Sequence, residues 1–524
     1  MAMSEIISRN EFLKRLSILP LGSAAILRSA GATERMNSGK CLIRGIVVDK
    51  GTALPVPSKV QVMDAAGNFY HPDPYIPHRE STEKVQTNPY FYCQGEFQLV
   101  LPPGQYEIKA CRGLAQYEAK TRLELRADTQ QEVRLELSSV SDIRKAGWFS
   151  GNTHTHYYLQ MEEDPDERLR VVPPAEDLDV SVISHLVRKN LLYPSNKFPV
   201  GRAAAFSQRG TLVDIGQETR NNCQQWEFGY GHVLFVNIPE LIQPVSTGLL
   251  WYDNAPDFPT LSLLCRRAKV RGGVTIWAHN GSGMECPVSV ALGLVDAFNV
   301  NDGCDYDYSR YYLLLNCGFR IPLSGGTDWW EYDHNRVYVQ LEGPFSYEKW
   351  LEGLKGGRTF VTNGPLLTLS VDGRGPGGTL RLQPGDKRVL HVRSSAISRV
   401  PFDRLELVVG GEVCAQACSP DRLRAELEAE IPVDRSSWIA ARVWSETYTE
   451  FNYRVFAHTS PVYVQQGSAS WLRREAPAYW VQEIDRSLRY IRQNYHFASQ
   501  ADEAIAAGLF LEAQDLYRRL RVEG

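Results

Sequence analysis

Hydrophobic and polar positions change their rhythm three times along this chain. Over residues 40–139 they alternate in short runs, at 42–48, 59–63, 96–101, 105–110 and 121–125. Each run puts every second side chain on one face, which predicts strands. Glycine and proline punctuate them, most clearly at Pro102-Pro103-Gly104, and that spacing predicts a small β-sandwich. From Ile143 to Leu341 solid apolar runs end in polar residues and lead into helical stretches. Val180 to Ile183 runs into Ser184-His185, Gly273 to Ala278 into His279, and Ile321 to Gly326 into Thr327-Asp328. The pattern predicts a βα-repeat domain over 143–358. After Thr359 to Pro365 alternation returns, at 366–371, 388–392, 404–409, 425–431 and 438–443, with Gly410-Gly411 offering a hairpin turn. This predicts a second sandwich over 359–466. The remainder, 467–524, reads as helical, with an apolar stripe at Tyr479, Val481, Ile484, Leu488 and Ile491 and another over 504–520. Both stripes are expected to pack on the body of the protein.

Composition narrows the partners. The chain has 524 residues, 43% hydrophobic and 23% charged, the profile of a protein with real cores. Its formal net charge of -4 is too near balance to argue for nucleic acid. No apolar run is long enough for a transmembrane helix. The eleven Trp and twenty-five Tyr fit an aromatic-rich surface for carbohydrate or aromatic ligands, and fit β-rich cores equally. The ten Cys show no zinc-ribbon spacing, and Cys414 with Cys418 is too loose a pair for a redox motif. Residues 1–36 read as an export signal: Arg9, Lys14 and Arg15 precede the apolar stretch 16–27, and Ala30-Gly31-Ala32 offers a cleavage site. Ser8 to Lys14 resembles a twin-arginine signal with Asn10 in place of the second arginine, and Arg28 interrupts the apolar run. A periplasmic or secreted location is therefore expected, by a Tat-like or Sec route.

Candidate chemistry centres on Gly151-Asn152-Thr153-His154-Thr155-His156. In an extended segment the two imidazoles project to one side, which suits a pair of nitrogen ligands on one metal ion. Six of the eleven histidines fall in this part of the chain: His154, His156, His185, His232, His279 and His334. Several stand at strand ends, and the C-terminal ends of parallel strands converge on one mouth. Near that mouth Arg188 and Lys189 could meet a phosphate or lie on a solvated helix. Trp329 and Trp330 could line a substrate pocket or pack on the rim. Glu162, Glu163 and Asp164 read as a solvated acidic loop that could supply a ligand, and His458 as a structural residue between the second sandwich and the barrel.

His154-Thr155-His156, then His185 after Val182-Ile183-Ser184, then Gly216-Gln217-Glu218, Gly231-His232-Val233, Ala278-His279-Asn280 and Gly325-Gly326-Thr327-Asp328 form an ordered set. The set resembles the polymerase-and-histidinol-phosphatase (PHP) metallohydrolases. Thr359 to Pro365 and Phe456-Ala457-His458-Thr459-Ser460-Pro461 further resemble the CehA/McbA branch, named for carbaryl hydrolases, over roughly residues 146–463. Gly95-Glu96-Phe97 through Tyr106 resembles a carboxypeptidase-regulatory-like, transthyretin-type domain. The fold these resemblances imply is multidomain α/β plus all-β: a distorted (β/α)7 PHP-type barrel flanked by two β-sandwiches, with a C-terminal helical tail.

The same resemblance implies a site. His154, His156, Glu218 and Asp328 would surround one ion, and Glu218 would bridge to a second held by His232 and His279. His185 matches a ligand of a third ion. Ser184 stands where the family has Asp, and Trp330 where it has His, so a third metal lacks a ligand; His334 has the wrong spacing to replace it. Two divalent ions are therefore expected, and zinc, manganese or iron suit such ligands. The expected reaction is attack of metal-bound hydroxide on an ester-type bond of a small-molecule or glycan-derived substrate. Carboxylic or carbamate esters are favoured slightly over phosphoesters. His185 is either a third-site ligand or the group that assists the leaving group. A metal-dependent lyase, or a non-catalytic glycan-binding protein on a degenerate barrel, are the alternatives.

Overall fold

The computed structural model describes residues 39–78, 89–157, 164–189, 191–208, 210–222, 229–300, 307–328, 335–449, 453–467, 471–473 and 475–523. The expected leader at 1–36 lies outside them. The protein is multidomain and rich in β-sheet, with several helices. Among the described residues no helix is long and apolar enough to cross a membrane.

Two sheets form the N-terminal part. Cys41–Asp49 is the middle of three strands, antiparallel to Glu96–Leu101 and parallel to Gln130–Leu137. The other sheet runs Ile76–His78, Tyr90–Cys93, Ser58–Asp64, Gly104–Cys111, Ala119–Leu125. Alternate side chains of both, among them Ile43, Val60, Phe97, Ile108 and Leu135, meet in one core. The face-in, face-out pattern is what the alternating sequence requires. Three of these strands, 76–78, 90–93 and 130–137, were not among the expected ones.

The middle segment is a circuit of seven strands. Trp148–Thr155, Val180–His185 and Leu212–Asn222 run parallel. Gly231–Val236 is antiparallel to Leu212–Asn222 and to Val274–Trp277. Val274–Trp277, Ala297–Val300 and Leu323–Gly325 are again parallel. The circuit closes where Asp328 bridges Thr155: Asp328 N–H donates to the His154 carbonyl at 2.7 Å, and His156 N–H donates to the Asp328 carbonyl at 2.8 Å. Helices Pro165–Ala175, Cys286–Ala291 and Ser309–Leu315 lie in three of the crossovers. The strict βα repeat read from the sequence fails at Gly231–Val236. Only eight residues separate it from Asn222, and a parallel crossover needs about a dozen or more, so the strand must return antiparallel.

Beyond the circuit the sheet continues without a break. Arg336–Gln340 pairs with the first half of Trp148–Thr155, then with Thr359–Thr362, which pairs in turn with Ala457–Thr459. A separate sheet of Leu366–Val371, Arg388–Ile397 and Arg424–Val433 packs alongside. Gly410 and Gly411, both at positive φ, turn Arg404–Val409 into Glu412–Cys418. The chain ends in helices Glu475–Asn494 and Gln500–Glu523. Their apolar stripe is Trp480, Ile484, Leu488 and Ile491, in the same core as Val180, Val233 and Ile276. Tyr479, expected in the stripe, is exposed, because the helical period from Ile484 falls on Trp480.

Candidate metal centre

Two ligand candidates sit at the end of Trp148–Thr155. His154 and His156, two residues apart, face one side with ring centroids 5.2 Å apart. Glu218 stands within Leu212–Asn222, and His232 on the next strand lies opposite Arg220. His279 opens the short turn after Val274–Trp277. His279 and Asp328 both have left-handed backbones, with φ of 53° and 56°. Non-glycine residues adopt that conformation rarely, and it concentrates at functional sites. Gly326 is also required. A Cβ there would stand 2.6 Å from the Cβ and backbone N of His154.

These residues make two buried groups. His154, His156, Glu218 and Asp328 form one, and Glu218, His232 and His279 the other, each with donor atoms within 4.8 Å of one another. Either can hold a metal ion. In the first, His154 Nε2 is 3.5 Å from Glu218 Oε2 and 3.4 Å from Asp328 Oδ1. His156 Nε2 is 2.7 Å and 3.6 Å from the same two oxygens. A tetrahedron with bonds of about 2.0–2.1 Å has edges of about 3.3 Å, close to this set. In the second, Glu218 Oε1 is 2.9 Å from His232 Nδ1 and 3.5 Å from His279 Nε2.

The hydrogen-bond pattern assigns the tautomers. His156 Nδ1 faces the Ser184 carbonyl at 3.0 Å, so Nδ1 carries the proton and donates. His232 Nε2 faces Asn222 Oδ1 at 2.7 Å and donates likewise. The other nitrogen of each ring then faces a carboxylate oxygen of Glu218, His156 Nε2 at 2.7 Å from Oε2 and His232 Nδ1 at 2.9 Å from Oε1, where a proton or a metal ion satisfies both. Second partners of this kind are what orient ligating histidines. The two ring nitrogens of His154 and Asp328 Oδ1 are buried without a hydrogen-bond partner among the described residues, and buried polar atoms are seldom left so.

Electrostatics match this donor set. Burial raises the Glu218 carboxyl, but Arg220 and His154 outweigh it and hold it well below the usual carboxylate range. Burial also raises Asp328, and His154 and His279 bring it below its ordinary value. Burial, reinforced by the Arg220 charge, pushes His232 down to about 3. Ionised carboxylates at Glu218 and Asp328 and a neutral imidazole at His232 are protonation states that metal binding needs.

Six of the seven expected ligands thus converge. His185 belongs to neither group. Its Nε2 donates to the Phe198 carbonyl at 2.7 Å, and burial lowers its pKa, so the ring is neutral with Nδ1 as its available acceptor. Arg188 is exposed, on a two-residue strand paired with Leu191–Leu192 rather than on a helix. Asp164 caps the helix Pro165–Ala175, accepting from Asp166 N–H, instead of lying in a loose acidic loop. His458 is buried where expected, donating to the Thr459 carbonyl at 2.7 Å and accepting from the Tyr312 hydroxyl at 2.8 Å. Trp329, Trp330, His334, Glu162 and Glu163 lie outside the described residues. Arg220 and Asn222 were missed. Both share a strand face with Glu218 at two-residue spacing, and that alternation was the available signal.

No family model matches the chain, and no curated protein does. Among solved structures, the minor pilin GBS52 of Streptococcus agalactiae aligns over 20% of this chain and 45% of its own, at 15% identity and a TM-score of 0.15. A 3-chlorocatechol 1,2-dioxygenase from Rhodococcus opacus 1CP aligns over 20% and 62%, at 11% identity and a TM-score of 0.14. The Bacillus anthracis TIE protein aligns over 82% and 50%, at 8% identity and a TM-score of 0.13. The chain spans about half the length of these neighbours. Likenesses this weak carry no argument about fold or function.

Proposed function

We propose that this chain is a metal-dependent hydrolase of ester-type bonds on a PHP-type barrel of the CehA/McbA kind. The observation that carries the reading is Glu218: one oxygen lies 2.7 Å from His156 Nε2, the other 2.9 Å from His232 Nδ1. His154, His156, Glu218 and Asp328 would hold one divalent ion, and Glu218, His232 and His279 a second. Zinc, manganese and iron suit this nitrogen and oxygen set. Ions of this class, when bound, acidify water and polarise a substrate oxygen. The chain's own part is orientation. The Ser184 carbonyl and Asn222 fix two rings, and the backbone pairing of Asp328 with His154 and His156 keeps three ligands in register. At the rim, His185 Nδ1 can take up a proton.

The position of two cations supports one substrate class over the other. Arg188 is exposed, and Arg220 is engaged with Glu218. That favours a carboxylic or carbamate ester over a phosphoester. The test is elemental analysis of protein purified without added metal or chelator, followed by turnover of aryl acetates, aryl carbamates and aryl phosphates. The expected result is about two ions per chain and ester cleavage, both lost in His154→Ala. A chain that neither carries nor takes up metal overturns the reading and leaves a binding module.

A further inference from the structure

Arg220 brings a cation into a centre built to receive cations. Its side chain is 4% exposed, and Nη2 donates to Glu218 Oε2. That oxygen is the one 2.7 Å from His156 Nε2 and 3.5 Å from His154 Nε2. Across the strand, Arg220 lies opposite His232, a member of the second group. One positive charge is therefore fixed beside both groups at once. A guanidinium does not give up its proton at any pH the fold survives. Nor is Arg220 on a loop free to withdraw: it is carried by an eleven-residue strand with neighbours on both edges.

Two opposed consequences follow from that position. Arg220 supplies counter-charge to a buried carboxylate that would otherwise be costly to ionise. It also occupies a lone pair of Oε2 and repels any divalent ion drawn to the same oxygen. We propose that Arg220 is a built-in competing cation that weakens divalent-ion binding at this centre and makes the bound ion exchangeable. The inference rests on the metal reading above and adds its regulation.

Full-length protein stripped with chelator is titrated with Mn2+ by calorimetry at pH 8, as wild type, Arg220→Met and Arg220→Lys. Thermal unfolding of the stripped proteins runs in parallel. Arg220→Met is expected to bind the first Mn2+ at least about tenfold more tightly. Its stripped form should melt lower than wild type and regain its midpoint in excess Mn2+. Arg220→Lys keeps the charge and should stay within about threefold of wild type. If Arg220→Met aggregates, Arg220→Gln purified with Mn2+ and then stripped gives the same comparison. Wild type that binds Mn2+ beside an uncharged variant that binds no tighter overturns this proposal alone. Lysine tightening as much as methionine also overturns it, since charge would not be the cause. Absence of binding in wild type and every variant removes the metal reading, and this proposal with it.

Discussion

The N-terminal sandwich is joined to the central circuit through a charged pair with no solvent around it, and breaking that pair should unfold both together. Lys59 Nζ lies 2.9 Å from Glu176 Oε1, and both side chains are fully buried. The Tyr92 hydroxyl donates to the same oxygen at 2.8 Å. Arg336 approaches Oε2 at 3.6 Å and donates to the Glu176 carbonyl at 2.6 Å. Removing one member of such a pair costs about 3–5 kcal/mol. Lys59→Met leaves Tyr92 and Arg336 on the carboxylate, so its cost belongs near about 3 kcal/mol. Glu176→Gln leaves two buried cations facing a neutral amide and belongs near about 5 kcal/mol. In the double variant Lys59→Met/Glu176→Gln only Arg336 is left facing the amide, and a coupling of about 2–3 kcal/mol should appear in the cycle. None of the eleven Trp lies in residues 40–139, so tryptophan emission is blind to that part unfolding alone. In guanidinium unfolding, Lys59→Met should move the tryptophan transition to lower denaturant. A shift confined to tyrosine dichroism, with tryptophan emission unmoved, would refute the reasoning and make the sandwich a loosely docked module.

Gly326→Ala should leave far-ultraviolet dichroism near wild type while abolishing metal retention, because its Cβ would displace His154; elemental analysis showing a normal metal load would contradict this. Asp179 offers a pH test: burial raises its carboxyl to about 6, with Arg144 opposing. The native state then binds a proton that the unfolded state releases above about 4, so this residue's contribution is greatest at low pH and is lost between about pH 4 and 6. Asp177 acts oppositely and lower, since Arg112 and Arg144 outweigh its burial and hold its carboxyl below the usual value. Asp179→Asn should therefore flatten stability against pH in the upper window, and a wild-type advantage that grows as pH rises from 4 to 6 would exclude this. Trp480→Ala should cost about 3–5 kcal/mol in denaturant unfolding, as the indole is fully buried in the common core; a cost near zero would mean the terminal helices pack independently.

Part of the fold could be read from the chain because strands such as Glu96–Leu101, Arg388–Ile397 and Arg424–Val433 have one wet face. The runs at 96–101, 366–371 and 404–409 coincide with observed strands, and 59–63 and 105–110 fall one residue short at each end. The strands missed in the N-terminal part failed for different reasons. Tyr90–Cys93 is buried at every position, so it has no alternation to show. Gln130–Leu137 does alternate, but its apolar residues, Val133, Leu135 and Leu137, are diluted by five polar neighbours. The direction of Gly231–Val236 was not read from the hydrophobic pattern, since local pattern fixes a strand and not its partner. Connection length was the decisive quantity there, and it was in the sequence all along.

For the centre, legibility followed the ligands and stopped at what holds them. The grouping of His154, His156, Glu218, His232, His279 and Asp328 was implied by the resemblance of their ordered motifs to the PHP metallohydrolases, not by residue type alone. The Ser184 carbonyl is invisible to any reading of side chains, because it acts on His156 through its backbone. Ser184 was read as a loss, an Asp replaced, yet the group that fixes the neighbouring ring is present whatever side chain stands there. Arg220 was passed over for the opposite reason. A positive residue beside expected metal ligands invites no metal argument, and a strand interior is an uncommon place for a charge. Its burial against Glu218 is what the proposal rests on: the strand that supplies the shared carboxylate also places a positive charge on it. If the proposal holds, affinity at this centre is set by a difference between two cations on one oxygen, which the ligand list alone does not contain.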